Sequence, residues 1–267
     1  MNEIVKVERL KKYFPVQKSV LEQVFARKMS YVKAVDDVTF SIKKGEIFTL
    51  AGESGCGKTT TGRSVVKLIK PTSGKIYFDG VDITNFKGEK LRLLRRKMQI
   101  IFQDPYASLN PRMKLGDAVG HPLEIHGLAK DEEKKKSVLD VLDKVGLTPP
   151  EQFINLYPHQ LSGGQRQRAA LARSIILKPE FIVADEPVSM IDVSLRTTII
   201  DLMLDFRKEL GLTYLFITHD LAVAKYISDR IAIMYLGKII EMGSKERLFL
   251  NPLHPYTQAL LSAIPIP

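Results

Sequence analysis

The sequence contains a single cysteine, Cys56, among its 267 residues. One cysteine excludes an internal disulfide and any metal centre that this chain would build from several cysteines. No apolar run approaches the roughly 20 residues that a membrane-spanning helix needs. The first residues also lack the apolar core and small-residue cleavage site of a secretory signal. These absences predict a cytosolic location.

The balance of charge is basic, with a formal net charge of +10. A basic surface can favour nucleic acid, anionic lipid headgroups or anionic ligands. Lysines spread along helices more often form a solvated face, however. The charge alone therefore selects no partner.

The spacing of apolar residues predicts an α/β protein with a helical insertion. Alternating apolar residues predict strands within residues 4–10 and 35–42, separated by an excursion over residues 17–31. Short β-branched runs predict buried strands at residues 47–51, 99–102, 181–184 and 214–217. Hairpins are predicted around Asp79-Gly80 and Leu236-Gly237, and only helical spacing is found from residue 105 to about 177.

Residues 52–59 match the phosphate-binding pattern G-x-x-x-x-G-K-[ST] between a predicted strand and a predicted helix. The glycines let backbone amides point at phosphate oxygens, and the helix N-terminus adds positive potential. We expect Lys58 to reach the β- and γ-phosphates of a nucleotide and the Thr59 hydroxyl to bind Mg²⁺. The expected nucleotide contacts in this phosphate loop are Gly52, Ser54, Gly55, Cys56, Gly57, Lys58, Thr59 and Thr60.

Two carboxylates, Asp185 and Glu186, directly follow the predicted strand at residues 181–184. A carboxylate at the end of a buried parallel strand lies beside the phosphate loop in such sheets. Asp185 is therefore placed to hold Mg²⁺, and Glu186 to polarise a water that attacks the γ-phosphate. The alternative is a surface acidic pair before the turn at Pro187.

The signature segment, residues 161–165 (Leu-Ser-Gly-Gly-Gln), opens another predicted helix. Ser162 suits the N-cap position, and bare glycine amides at a helix start can bind an anion. By themselves these residues are better explained as a capped helix with nothing bound. Because the signature segment lies between the phosphate loop and the acidic strand, it narrows the possible proteins to one kind of ATPase.

Taken together, these motifs resemble the ATPase subunit of an ATP-binding cassette (ABC) transporter along essentially the whole chain. The resemblance implies one domain over residues 1–267, with a P-loop NTPase (RecA-like) core and an N-terminal antiparallel β subdomain within about 1–103 and 179–250. An all-helical subdomain is expected at about 104–178 and a tail at 251–267. The motifs that carry the resemblance, in chain order, are the phosphate loop, Gln103 after a strand, the signature segment, Asp185-Glu186, Asp192 and His219.

The resemblance also implies roles for residues outside the phosphate loop. Gln103 would bind Mg²⁺ and link it, with the attacking water, to the membrane subunits. His219 would contact the γ-phosphate, although a histidine before Asp220 is more often a helix-start residue. Asp192 would lie at a dimer seam. Residues that would contact the ATP held by an opposing subunit are Ser162, Gly163, Gly164 and Gln165.

Tyr13 resembles the aromatic residue that stacks on adenine in this family. It lies 45 residues before Lys58, and 30 once the 15 residues of the excursion are left out. An ordinary strand tyrosine is the alternative, because strands favour this residue.

Three segments resemble the oligopeptide/dipeptide importer branch of the family, namely residues 251–261, 106–111 and the excursion after residues 12–15. Nickel and oligosaccharide importers share the tail, so the cargo stays open. The branch implies a second ATPase subunit, usually a paralogue although a homodimer is possible in isolation. It also implies two permease subunits, an extracytoplasmic binding protein and a peripheral position on the cytoplasmic face of the membrane.

Two further expectations concern what this chain would not bind. Some members of the branch carry a cysteine-rich extension that holds an iron–sulfur cluster, and the single cysteine here predicts no cluster in this chain. No nucleic acid partner is expected either. A soluble ABC-type ATPase that acts on nucleic acid is the alternative that the net charge favours.

Cys56 lies inside the phosphate loop, beside Lys58 and just before a helix N-terminus. Both neighbours favour the thiolate, so we expect a thiol pKa below about 8.5 and alkylation that Mg-ATP slows. An inert residue chosen for its size fits the pattern equally well.

Overall fold

The computed structural model describes residues 3–16 and 30–263, and they divide between two compact units. The first unit draws on residues 1–43, 48–86 and 219–267, and the second on residues 44–47 and 87–218. The predicted excursion at residues 17–31 lies outside the described residues, except for its last two positions.

The strands, in chain order, are β1 (Glu3–Pro15), β2 (Tyr31–Lys43), β3 (Ile47–Ala51), β4 (Ser73–Phe78), β5 (Val81–Asp82), β6 (Met98–Ile101), β7 (Phe181–Asp185), β8 (Thr213–Thr218), β9 (Arg230–Tyr235) and β10 (Lys238–Ser244). The helices are α1 (Lys58–Val65), α2 (Gly88–Lys97), α3 (Pro105–Ser108), α4 (Leu115–Ile125), α5 (Asp131–Lys144), α6 (Pro150–Phe153), α7 (Gly163–Ile175), α8 (Val193–Leu210), α9 (Leu221–Ile227), α10 (Lys245–Leu250) and α11 (Pro255–Ser262), with one 3₁₀ turn at Pro158–Gln160.

The first unit contains an antiparallel sheet in the order β2-β1-β4-β5. Its register pairs Val5 with Ile42 and Val7 with Phe40, and all four side chains are buried. The turn between β4 and β5 is the predicted Asp79-Gly80 pair. Both of its residues have positive φ, of 48° and 78°, as a tight hairpin turn requires.

The same unit places β3 parallel to β9, and β9 forms a hairpin with β10. The hairpin turns at Leu236-Gly237, as predicted. All five residues of β3 are buried, so the strand delivers the chain into the phosphate loop from a packed interior. Parallel strands buried on both faces read as continuous apolar runs, which is why the sequence predicted β3.

The second unit contains three parallel strands in the order β8-β7-β6, paired as Ile101 with Ala184 and Asp185 with Ile217. Every residue of β7 and β8 is buried. All of residues 105–175 are described, and none of them lies in a strand. The predicted helical region is therefore helical, while its boundaries at about 104 and 178 stay a prediction.

Among the residues that the structure describes, no helix combines the length and the apolar character that crossing a membrane requires.

Candidate active site

The phosphate loop occupies residues 52–57, between β3 and α1. Two of its glycines are required by packing as well as by backbone conformation. A Cβ on Gly52 (φ 148°) would lie 2.2 Å from the Met234 carbonyl oxygen. A Cβ on Gly57 (φ 111°) would lie 2.1 Å from the Ala34 carbonyl oxygen. Real Cβ atoms do not approach oxygen so closely, so neighbouring backbone fixes the loop at both ends.

Lys58, the first residue of α1, is only 4% exposed. Its ammonium donates to the carbonyl oxygens of Gly52 at 2.7 Å and Glu53 at 2.8 Å. These bonds hold the ammonium group of Lys58 against the loop that the sequence pattern predicts to bind phosphates. Ser54 is exposed, and Thr59 and Thr60 follow in the first turn of α1.

The structure contradicts one expectation for Cys56, namely its lowered thiol pKa. The residue is 7% exposed, and burial raises the pKa of its thiol although Lys58, 3.8 Å from the sulfur, favours the thiolate. The predicted low pKa is therefore wrong. A buried anion loses its hydration, and here that loss outweighs the nearby positive charge.

This geometry predicts slow alkylation of Cys56 at neutral pH. Because burial raises the pKa of the thiol, the thiolate fraction at any given pH is below that of an unburied cysteine, whose pKa is about 8.5. The rate of iodoacetamide labelling should keep rising between pH 8 and pH 10, and urea-unfolded protein should label faster at pH 7. A rate that levels off below pH 8 would contradict the prediction.

The carboxylate pair lies at the end of β7 in the second unit. Asp185 is the last residue of the strand and is 1% exposed. Glu186 follows with φ 48°, in the left-handed region that non-glycine residues rarely adopt. Its amide donates to the Ile217 carbonyl oxygen at 2.9 Å. The backbone is thus held in a strained conformation of the kind that clusters at functional sites.

Gln103 and Glu186 were predicted from separate motifs, and the structure brings them together. The Gln103 side-chain nitrogen donates to Glu186 Oε2 at 3.0 Å. This bond orients one carboxylate oxygen of Glu186. It also uses the amide nitrogen of Gln103, so the amide oxygen is the atom that Gln103 can offer to a cation.

The predicted donors fit Mg²⁺ better than a metal held by protein alone. Within residues 3–16 and 30–263, no three His, Cys, Asp or Glu side chains cluster as a metal site. Mg²⁺ usually takes one or two carboxylates, and substrate phosphates and waters complete its shell. In the second unit the buried Asp185 and the Gln103 amide oxygen are oxygen donors of that kind, and in the first unit the Thr59 hydroxyl is another.

The signature segment begins α7 with a capping box. Ser162 Oγ accepts from the Gln165 amide at 3.3 Å, and Gln165 Oε1 accepts from the Ser162 amide at 2.9 Å. The predicted N-cap is confirmed. Because both the backbone amide and the side-chain oxygen of Gln165 serve the cap, the backbone amides of Gly163 and Gly164 are the groups left to face an anion. Gly164 also packs closely, since a Cβ there would lie 3.0 Å from Leu195 Cδ1.

The remaining predicted residues lie at strand and helix ends. Asp192 is the N-cap residue of α8, and His219 directly follows β8. Asp220 caps α9 by accepting from two backbone amides, so His219 stands just before that helix. Its role as a phosphate contact stays a prediction.

Tyr13 lies in β1, where its hydroxyl donates to the Asp36 carboxylate. This bond raises the pKa of the tyrosine and lowers that of Asp36. The Lys33 ammonium lies 5.6 Å from the Tyr13 ring centroid, so a stacked base would have to share the ring with it or displace it.

The sequence did not reveal two groups that position predicted site residues. One is Asp36, whose side chain anchors Tyr13. The other is Gly237, whose amide donates to the Cys56 carbonyl oxygen at 2.9 Å. The glycine was predicted as a hairpin turn, but no local pattern connects it to the phosphate loop 181 residues away.

Comparison with known proteins gives two family matches. Residues 35–189 match the model described as ABC transporter. Residues 240–267 match the model described as oligopeptide/dipeptide transporter, C-terminal region. The first match covers more than half of the chain.

Three curated relatives match nearly the whole chain. The oligopeptide transport ATP-binding protein AppF of Bacillus subtilis is 50% identical over 264 residues, which are 98% of this chain and 78% of that protein. OppF of the same organism, also an oligopeptide transport ATP-binding protein, is 53% identical over 92% of this chain and 81% of its own. The dipeptide transport ATP-binding protein DppF of Haemophilus influenzae is 48% identical over 96% and 76%.

Solved structures agree with this family. A dimeric post-hydrolysis ATP-binding cassette bound to ADP and phosphate superposes with a TM-score of 0.79 at 30% identity, over 90% of this chain and 98% of that one. CbiO1 of Clostridium perfringens, part of an ABC transporter complex, gives a TM-score of 0.76 at 27% identity over 94% and 92%. The fold and the ordered motifs thus define an ATP-binding cassette ATPase, as predicted. The chain belongs to the ABC transporter family, in its oligopeptide/dipeptide branch.

Proposed function

We propose that this chain is the ATP-hydrolysing subunit that energises import of di- and oligopeptides through an ABC transporter. The observation that carries the hydrolytic part is the Gln103–Glu186 hydrogen bond next to the buried Asp185. The relatives named for oligopeptide and dipeptide transport, together with the C-terminal match, support the peptide cargo.

Nucleotide binding would rest on the phosphate loop. Its backbone amides and the N-terminus of α1 face the phosphates, and Lys58 contacts the β- and γ-phosphates. Mg²⁺, held by Thr59, Asp185 and Gln103, supplies charge neutralisation on the phosphate oxygens when it is bound. Tyr13 would pack on the adenine.

Glu186 would accept a proton from the attacking water as general base. Gln103 donates to one oxygen of that carboxylate, and the Glu186 backbone is tied to β8, so the carboxylate is oriented before substrate arrives. His219 would contact the γ-phosphate. Orienting the base in advance lowers the reorganisation that the reaction step requires.

Hydrolysis would need two ATPase subunits. The N-terminus of α7 in one subunit would contact the γ-phosphate of ATP held by the other, and Asp192 would lie at the seam. The second subunit is expected to be a paralogue. Two permease subunits would receive the motion through residues near Gln103, on the cytoplasmic face of the membrane, and an extracytoplasmic binding protein would deliver the cargo.

Two serine caps with the same geometry test the role of the signature segment. Ser162 Oγ accepts from Gln165 N at 3.3 Å, and Ser244 Oγ accepts from Arg247 N at 3.3 Å at the start of α10. Ser162→Ala and Ser244→Ala should each lower the free energy of unfolding by about 1 kcal/mol. Only Ser162→Ala should also lower ATP turnover, by about tenfold or more, because it removes a phosphate contact.

The measurements are thermal unfolding and ATP hydrolysis by both variants in the assembled ATPase pair. Equal activity losses in the two variants would mean that Ser162 only caps its helix, and the proposed contact across the subunits would then be wrong.

A further inference from the structure

The β9–β10 hairpin packs directly against the phosphate loop. The amide of its turn residue Gly237 donates to the Cys56 carbonyl oxygen at 2.9 Å. The Met234 carbonyl oxygen lies so near Gly52 that a Cβ there would be 2.2 Å from it. The Met234 sulfur also accepts from the Thr61 hydroxyl of α1 at 3.9 Å. The loop therefore takes its shape partly from a hairpin far along the chain.

The C-terminal helix α11 packs on this hairpin through an aromatic pair. The rings of Tyr235, in β9, and Tyr256, in α11, have centroids 4.3 Å apart and are tilted by 40°. This separation is slightly shorter than the roughly 4.5–7 Å typical of favourable aromatic pairs, so the two rings are in direct contact. Tyr256 thus lies against the strand that supports the loop.

Tyr256 also lies against the phosphate loop itself. Its ring packs on the buried cluster that contains Ala51, the residue before the loop. Its hydroxyl is buried without a hydrogen-bond partner among the described residues. Burial raises the pKa of that hydroxyl, and the nearby Glu53 backbone amide opposes the rise. The ring therefore packs on the cluster next to the loop, and the hydroxyl lies beside the Glu53 amide of the loop itself.

The position of Tyr256 is fixed by anchors at the start of α11. The Glu241 carboxylate accepts from the amides of Leu253 at 2.8 Å and His254 at 3.0 Å. His254 Nδ1 accepts from the Tyr256 amide at 3.1 Å, and Thr257 is fully buried. The tail is thereby attached to β10 by two hydrogen bonds that do not involve the Tyr256 side chain.

We infer that Tyr256 is a positioning residue for ATP: its ring, packed against Tyr235, keeps the phosphate loop in the shape that binds the triphosphate. The ring acts through the loop and is not itself a ligand of the nucleotide. This inference rests on the proposed function, because it deepens the account of the same phosphate site.

The test compares Tyr256→Ala with Leu260→Ala, using Tyr256→Phe as the conservative variant. Leu260 is one turn further along α11 and packs on the same cluster, so its truncation loosens the tail without removing the ring next to the loop. Trinitrophenyl-ATP fluorescence gives the Kd for nucleotide. ATP hydrolysis gives KM and kcat, and thermal unfolding reports the folded state of each variant.

Tyr256→Ala should raise Kd and KM about threefold to tenfold, the size expected for loss of an aromatic contact, and leave kcat within about twofold. Tyr256→Phe and Leu260→Ala should keep the wild-type Kd. The rate of Cys56 alkylation should rise in Tyr256→Ala together with Kd, and since Cys56 is the only cysteine in the sequence, the label reports on the loop alone.

An unchanged Kd in Tyr256→Ala, or equal increases in Tyr256→Ala and Leu260→Ala, would overturn the inference. Faster alkylation with unchanged Kd would also overturn it, because the ring would then only shield the thiol. These outcomes leave the proposed function intact as long as the wild-type protein binds and hydrolyses ATP. A wild-type protein that does neither would overturn both.

Discussion

Replacing Glu186 with glutamine should remove most ATP turnover while ATP binding survives. The amide cannot accept the proton of the attacking water, and general bases contribute on the order of 10²–10⁴-fold to rate. The glutamine oxygen can still accept from Gln103, so the local geometry at the end of β7 is retained. Phosphate release and nucleotide affinity, measured on the same preparation, check both halves of this expectation.

Glu180→Gln is the matched control for Glu186→Gln. Glu180 immediately precedes the same strand and pairs with Lys97 at 2.8 Å on the surface, so the same change there should cost less than about 1 kcal/mol of stability. Its turnover should be that of the wild type. If Glu186→Gln hydrolyses ATP at the wild-type rate, Glu186 is not the base.

Glu186→Gln should also trap a dimer when ATP is present, because the bound nucleotide forms much of the interface and is no longer consumed. Light scattering should give a monomer without nucleotide. If a paralogue is required, the chain should not self-associate under any condition, and adding the paralogue should restore the ATP-dependent dimer. A dimer of the same mass with and without ATP would contradict this account.

Gly57→Ala should weaken ATP binding by about two orders of magnitude or more. Gly57 has φ 111°, and the new Cβ would lie 2.1 Å from the Ala34 carbonyl oxygen, so the loop backbone has to move. A misplacement of about 1 Å at a substrate-positioning group can lower the rate of an enzyme on the order of 10²-fold, and we expect a shift of that size in the phosphate loop to weaken ATP binding to a similar extent. We therefore expect ATP affinity to fall by at least about that factor, as measured by equilibrium binding.

Gly55→Ala separates this clash from backbone strain. Gly55 also has a positive φ, of 80°, but a Cβ there meets no atom within 4 Å. The left-handed conformation costs a non-glycine residue about 1–2 kcal/mol, so Gly55→Ala should lose stability and keep most of its ATP affinity. Equal loss of affinity in both variants would show that the clash at Gly57 is not the cause.

Much of the fold could be predicted because its signals are local. The phosphate loop, the buried strands and the Asp79-Gly80 turn depend on residues within a few positions of one another. The cap at Ser162 was likewise predicted from its own helix start, and the structure shows it with its Gln165 partner.

The contacts that support the site could not be predicted because they join distant parts of the chain. Asp36 meets Tyr13 across paired strands, and Tyr256 reaches the loop only after α11 has docked. The pKa of Cys56 shows the same limit. Its sequence neighbours favour the thiolate, but the packing that buries the sulfur is tertiary and reverses the direction of the shift.

Uptake measurements in cells that retain the permease and binding-protein subunits test the central claim most directly. Cells that lack this chain, or carry only the Glu186→Gln variant, would be assayed for labelled di- and oligopeptide, nickel and oligosaccharide. The account predicts that both cell lines lose peptide uptake, that the wild-type chain restores it, and that uptake of nickel and oligosaccharide is unchanged. Unchanged peptide uptake with loss of either other cargo would contradict it.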